Sequence, residues 1–303
     1  MKRETGAQLL VVVLGIAIAS VATSLDAQHR FIPERLILKI SNLGGEGAGR
    51  AFEKFVRSFD GLRPVRVEVQ PGVNLLLDPN DYLGRQVLIS GSWQSDVWKS
   101  ISDRLVPGAV YFDVGAHIGY DTLRGSVLVG QAGKVVAFEP NPNTLALLRD
   151  NVSASRAANV VVEPFACGDK DGTLTLYDST NSGNSGASSL SMANADQQSV
   201  GSLPSFMVRV RRIDDVAKEL GITRLDLMKV DVEGAEYMVL RGAEATLRRF
   251  HPKVVLEIIP KQLENMNTSK EEVFAFMANL GYGPGRQVDD EDWEWVAGPS
   301  ASR

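Results

Sequence analysis

Val110-Tyr111-Phe112-Asp113-Val114-Gly115-Ala116-His117-Ile118-Gly119-Tyr120 is the stretch that decides the fold. An apolar run of strand length ends in a glycine turn that opens a helix, the arrangement that brings backbone N–H groups to a ligand. A second apolar run, Lys134-Val135-Val136-Ala137-Phe138, ends in Glu139-Pro140-Asn141-Pro142. It sets a carboxylate at the next strand tip, about 24 positions after Gly115. Nucleotide-binding α/β sheets place an acid at roughly 20 positions to accept hydrogen bonds from ribose hydroxyls. The dinucleotide fingerprint Gly-x-Gly-x-x-Gly is missing, because Ala116, His117 and Ile118 separate Gly115 from Gly119.

Downstream, helices over Thr122 to Leu128 and Leu145 to Val152 and a strand over Asn159 to Glu163 give the β-α-β-α-β alternation of a parallel sheet. Lys170-Asp171-Gly172 is a turn signal before a strand, Thr173 to Tyr177. The Ser-, Asn- and Gly-rich stretch Asp178 to Pro204 reads either as a lid over the carboxyl edge of the sheet or as an open connection. A strand, Phe206 to Val210, and a helix, Ile213 to Leu220, follow. Next comes Leu225-Asp226-Leu227-Met228-Lys229-Val230-Asp231-Val232-Glu233-Gly234-Ala235-Glu236: a strand, a carboxylate at its tip, and a glycine turn into a helix ending near Arg249. Lys229 and Asp231 share the strand period of two and so point to one side. Val254 to Ile258 is a further strand with Glu257 near its end, Glu271 to Leu280 a helix, and the tail around Trp293 a short hairpin.

Upstream, Leu9 to Ala22 is apolar with no polar face and follows Met1-Lys2-Arg3. The run continues weakly to Leu25 and at about 17 residues sits at the low edge of a transmembrane helix, so residues 1–25 are predicted as a membrane anchor or signal segment. The poor cleavage site Thr23-Ser24-Leu25-Asp26-Ala27 favours the anchor over a secreted form. Lys2 and Arg3 on one flank are opposed by Arg30, Arg35 and Lys39 on the other, which leaves orientation open. Residues 26–107 form an α+β extension, either a cap or a packing addition. Its expected elements are a helix over Ala51 to Phe59, strands over Val65 to Val69, Gly72 to Leu77 and Gln86 to Ile89, and a helix over Ser95 to Leu105.

The 303 residues, 44% hydrophobic, suit one large α/β domain with an N-terminal addition. A net charge of −5 with no Lys/Arg stripe argues against nucleic acid as a partner. The single cysteine, Cys167, excludes an internal disulfide and a Cys-based zinc cage.

Three spaced motifs resemble the FkbM family of methyltransferases that use S-adenosyl-L-methionine (AdoMet): Asp113 to Gly119, Phe138 to Pro142, and Met228 to Glu236 with Leu240-Arg241-Gly242-Ala243 behind it. Gly168-Asp169-x-x-Gly172 and Ser188-Ser189-Leu190 are similar to further family features. The resemblance covers roughly 106–260 and implies a Rossmann-like class I methyltransferase sheet, mostly parallel with helices on both faces, over 108–297. It also implies AdoMet as cofactor and O-methylation of a glycan, polyketide or other small metabolite. Asp113, Gly115, Ala116, Gly119, Glu139, Pro140 and Asn141 then lie around the cofactor, with Ala166, Cys167 and Asp169 beside its adenine. Asp169 has a competing role as a turn former ahead of Gly172. AdoMet is made in the cytoplasm, which favours a catalytic domain facing that side of the membrane.

The family carries Asn where this chain has His117, and an acidic residue near Trp93-Gln94. His117 and Asp231 are the candidate bases for an acceptor hydroxyl, His117 having a plain hydrogen-bonding role as its alternative. Asp231 could instead anchor the lid or hold a cation with Glu233, but two carboxylates without a third ligand assign no metal site. An NAD(P)-dependent oxidoreductase and a membrane-tethered non-catalytic binding module are the competing readings.

Overall fold

The computed structural model describes residues 63–195 and 203–297. The expected anchor and the helix expected over Ala51 to Phe59 lie outside them. Among the described residues no helix is long and apolar enough to cross a membrane.

Residues 63–69 and 76–93 belong to one compact unit. Strands β1 (Val65–Gln70) and β2 (Val73–Leu77) lie where the alternation places them. The strand expected over Gln86 to Ile89 is instead part of helix α1 (Tyr82–Ser90). Asp81 caps that helix by accepting from Leu83 and Gly84 N–H groups, and left-handed Gly91 ends it. A run of three apolar residues, Val87 to Ile89, does not distinguish strand from buried helix, and here the caps decide.

The second unit holds the rest of the described chain. Helix α2 (Ser95–Ser102) buries Val97 and Ile101 with Leu105 against Tyr111, Val129 and Leu227. Then follow β3 (Val110–Val114), α3 (Tyr120–Val129), β4 (Lys134–Phe138), α4 (Pro142–Ala154) and β5 (Val160–Glu163). Next are β6 (Ala166–Cys167), β7 (Gly172–Tyr177), α5 (Met192–Ala195), β8 (Ser205–Arg211) and α6 (Ile213–Glu219). The chain continues through β9 (Leu227–Val230), α7 (Glu236–Gly242), α8 (Glu244–Phe250), β10 (Lys253–Glu257), α9 (Pro260–Asn265) and α10 (Lys270–Asn279). It closes with a hairpin, β11 (Arg286–Gln287) and β12 (Asp292–Trp295).

The central sheet has seven strands in the order β11-β12-β10-β9-β3-β4-β5. Strands β10, β9, β3, β4 and β5 run parallel, and β12 is antiparallel to β10. This is the mostly parallel, Rossmann-like α/β sheet that the motif spacing predicts. From β3 the chain winds outward through β4 and β5, then returns to β3's other side with β9 and β10. Ligands in such sheets sit outside the carboxyl ends of the strands at this reversal, here the ends of β3 and β9.

The strands expected over Thr173 to Tyr177 and Phe206 to Val210 do not join the central sheet. They form a separate three-stranded sheet in the order β6-β8-β7. Their side chains explain the segregation. Every residue of β9 is buried, as a strand covered on both faces requires, whereas β8 alternates with Met207 and Arg209 exposed, and β7 is exposed from Gly172 to Leu174. The single helix expected to run to Arg249 breaks at Ala243 into α7 and α8.

Candidate active site

The turn after β3 fits only glycine at its first position. Gly115 has φ +84°, and a Cβ there would stand 1.8 Å from the Asp231 carbonyl oxygen. The loop after β3 is thus seated directly on the end of β9. Gly119 (φ +92°) starts α3, and a Cβ there would meet Leu148 of α4 at 2.7 Å. Ala116 is buried against Ala137 and Leu148.

The acid at the tip of β4 turns toward this loop. Glu139 Oε2 accepts from the His117 backbone N–H at 2.8 Å, and Oε1 from the Asn141 N–H at 2.8 Å. Burial pushes the Glu139 carboxyl up to about 7, against the two backbone bonds that favour its charge. Pro140 is half-buried beside it, and Asn141 caps α4 by accepting from the Asn143 N–H at 3.0 Å.

Beneath the loop lies a buried ion cluster that the parallel register builds. Asp113 on β3 stands opposite Lys229 on β9. Lys229 Nζ reaches Asp231 Oδ2 at 2.9 Å and Asp121 Oδ2 at 3.5 Å, while Asp113 accepts from Thr122 Oγ1 at 2.5 Å. Burial opposes the charge on Lys229, but the surrounding carboxylates outweigh it and hold the ammonium well above its usual range. Burial raises Asp113 to about 6.

The Ser- and Asn-rich segment crosses the carboxyl edge as the lid reading requires. On the β4 side, Asp178 accepts from Asn141 Nδ2 at 2.8 Å, Asn143 Nδ2 at 3.0 Å and the Thr180 N–H at 3.0 Å. Over the glycine loop, His117 Nε2 and Ser185 Oγ are 2.6 Å apart. On the β9 side, Ser189 Oγ and Asn194 Nδ2 both donate to the Glu233 carbonyl at 2.8 Å. These bonds make residues 178–195 a strap between the two halves of the edge. Residues 196–202 lie outside the described residues.

Each polar residue of the third motif has a structural task. Glu233 is left-handed (φ 55°), which turns its carbonyl to the strap. Gly234 (φ +103°) leaves no room for a Cβ, which would lie 2.4 Å from Asn194 Nδ2. Glu236 accepts from the Val232 and Gly234 N–H groups at 3.1 Å and so closes the turn. Burial, then the charge of Asp231, pushes Glu233 up to about 8, and the same causes raise Asp292 on the neighbouring hairpin to about 8. Glu257 on β10 is raised well above its usual range by burial and by Asp231 and Glu233.

The adenine-side candidates have other partners in this structure. Ala166 and Cys167 form β6, with Cys167 buried among Phe138, Phe165 and Val239 and its thiol pushed up by burial. Asp169 pairs with Arg241 Nη2 at 2.6 Å, beside the contact where Gly242 packs on the Gly168 carbonyl. Sequence reasoning missed the roles of Asp121, Thr122, Asn194, Gln262 and Glu257. Only Glu257, a carboxylate at a strand end, carried a signal that could have been used.

Fold and edge together define a Rossmann-like α/β protein whose chain reversal carries a glycine loop, a strand-tip acid and a strap. Residues 113–284, more than half the chain, match the methyltransferase FkbM domain, and the chain belongs to that family. It is 28% identical over 152 residues to the 2-O-methyltransferase NoeI of Sinorhizobium fredii, covering 47% of this chain and 60% of that protein. It is 32% identical over 163 residues to the 31-O-demethyl-FK506 methyltransferase FkbM of Streptomyces tacrolimicus, covering 46% and 61%. A 29% match over 219 residues to the AMB antimetabolite synthetase AmbE of Pseudomonas aeruginosa covers 62% of this chain and 10% of that protein. The chain therefore spans about three fifths or less of the length of these relatives. The crystal structure of methyltransferase FkbM from Methylobacillus flagellatus KT is similar at a TM-score of 0.42 and 14% identity, covering 87% of this chain and 57% of that one.

Proposed function

We propose that the chain transfers a methyl group from AdoMet to a hydroxyl of a glycan, polyketide or other small metabolite. The observation that carries this reading is the Glu139 carboxylate, turned to the Gly115–Gly119 loop and bonded to the His117 N–H at 2.8 Å. A carboxylate has about four acceptor sites, so Glu139 keeps acceptor capacity for a ribose diol beyond its two backbone bonds. Gly115 and Gly119 are required where the loop packs on Asp231 and Leu148, and the residues fit the cofactor through the spare acceptor capacity of Glu139 beside that loop. Two relatives, a 2-O-methyltransferase and a 31-O-demethyl-FK506 methyltransferase, support oxygen as the acceptor atom.

Bound AdoMet supplies an electrophilic methyl with a good leaving group. What this chain supplies is alignment and an acceptor for the hydroxyl proton. Asp231 is our candidate for the second task. It stands at the tip of β9 with 21% of its side chain exposed, and Lys229 keeps it oriented through Oδ2. His117 is assigned to holding the strap through Ser185, and Asp113 to fixing the loop from below.

Calorimetry with AdoMet tests the cofactor site: saturable binding, weakened at least about tenfold in Glu139→Ala, is expected, and no binding by the wild type would sink the proposal. Methyl transfer from labelled AdoMet to a panel of hydroxylated acceptors separates an enzyme from a non-catalytic module. We further propose that residues 1–25 tether this domain to the cytoplasmic face of a membrane, where AdoMet is made. Protease digestion of intact spheroplasts tests this, and cleavage of the domain from outside overturns it.

A further inference from the structure

Asp231 and Glu233 alone lack a third cation ligand, but β10 lies beside β9 and brings one. One carboxylate oxygen from each of Asp231, Glu233 and Glu257 falls within 4.8 Å of the other two. We propose that these three side chains bind one divalent cation of the magnesium, manganese or calcium class at the carboxyl ends of β9 and β10.

Geometry, unmet bonding and charge each lead to this assignment. Oxygen ligands lie roughly 2.0–2.6 Å from such cations, so donors sharing one ion stand up to about 5 Å apart, which the three oxygens satisfy. The ligand set is all carboxylate, with neither His nor Cys, which suits hard cations rather than zinc. Glu257 supplies the second, independent observation. It is 7% exposed, and its Oε2 is buried with no hydrogen-bond partner. A buried carboxylate oxygen in that condition is costly unless something satisfies it. Its partner in the β10–β12 register, Asp292, is 1% exposed and also has a buried oxygen, Oδ2, without a partner. The other contacts leave room: Lys229 takes Asp231 Oδ2 at 2.9 Å, and Gln262 Nε2 takes Glu233 Oε2 at 2.6 Å. Each therefore has a second oxygen to offer.

Charge balance agrees. Asp231, Glu233, Glu257, Asp292 and Glu236 interact with one another, and Glu291 with Asp231. The cation facing this group is Lys229, which it shares with Asp113 and Asp121. One ammonium does not balance so many carboxylates, and a divalent ion offsets two more of these charges without protonating the groups that bind it.

The cation's use, holding an acceptor hydroxyl and favouring loss of its proton to solvent, takes over the task given to Asp231 and rests on the methyltransferase reading. Its binding does not. The test is a titration of the full chain with Mn2+ at pH 7.5, followed by electron paramagnetic resonance of the free ion, with Mg2+ and Ca2+ as competitors. One equivalent of Mn2+ should bind and be displaced by Mg2+ or Ca2+. Glu257→Gln should weaken it at least about tenfold, with an unchanged melting profile. Glu233→Gln, at a half-buried and more tolerant position, should do the same and serves if Glu257→Gln does not fold. No stoichiometric binding at about millimolar Mn2+, or equal affinity in the wild type and the folded variants, overturns the site. AdoMet calorimetry on the same samples separates the two proposals. AdoMet binding without Mn2+ ends the cation site alone, and Mn2+ binding without AdoMet ends the cofactor reading alone.

Discussion

The two halves of the carboxyl edge treat their acids in opposite ways. On the β4 side, Glu139 has a backbone N–H on each oxygen, and Asp178 has four donors around it. On the β9–β10 side, Asp231, Glu233, Glu257 and Asp292 crowd one another, and two of them have a buried oxygen without a donor. The first half is a finished acceptor that needs only a neutral, hydroxyl-bearing ligand. The second holds Glu233, Glu257 and Asp292 above their usual range by burial and mutual repulsion, the condition from which the cation site is proposed. Side chains in one crevice can thus be sorted by what they lack rather than by what they are.

Lys229→Met breaks the comparison most severely, because it strips the one ammonium from Asp113, Asp121 and Asp231. A loss of about 3–5 kcal/mol of stability is expected in denaturant melts. Gly115→Ala attacks the point where the two halves touch. Its Cβ cannot share space with the Asp231 carbonyl at φ +84°, and a loss of about 3 kcal/mol is expected by the same measurement.

Glu139→Gln sharpens the contrast through pH. Burial lifts the folded Glu139 to about 7 from an ordinary 4.5, with Asp113 and Asp178 adding to the shift. The proton is thus held more tightly in the folded state. That contribution to stability is full below about pH 4.5 and is lost as pH rises through about 7. Between pH 5 and 8 the wild type should lose on the order of 3 kcal/mol more than the Gln variant, and equal slopes would refute this. The raised acids of the other half contribute similarly to both proteins and drop out of the difference. His117→Asn is the mildest change. With the ring assigned to Ser185, methyl transfer should fall by less than about tenfold, against the roughly 10²–10⁴-fold that removing a general base costs.

The five parallel strands of the central sheet were legible because they are mostly apolar, and each ends in or at a punctuating glycine or acid, as Val114-Gly115 and Phe138-Glu139 do. The third motif was legible as a site but not as a mechanism. That Lys229 answers Asp113 depends on strand register, which no local pattern encodes. The cation triad was hidden for a similar reason, since Glu257 becomes a neighbour of Asp231 only when β10 docks on β9. Gln86 to Ile89 was misread because three apolar residues in a row fit either period, and Asp81 and Gly91 outside the run settled it. The separate sheet of β6, β8 and β7 was foreshadowed by Arg209 and Thr175, too polar for a strand covered on both faces. Cys167 and Asp169 show where a role taken from resemblance outruns the residues, one being core and the other an ion pair with Arg241.

The winding of the sheet also sets a schedule for the newborn chain. β3 lies between β4 and β9, yet β9 leaves the ribosome more than 110 residues later, roughly 5–20 s at ordinary elongation rates. Through that interval Phe112 and Val114 sit on a strand with one ladder open, a sticky margin that a chaperone must shield or that rapid synthesis must outrun.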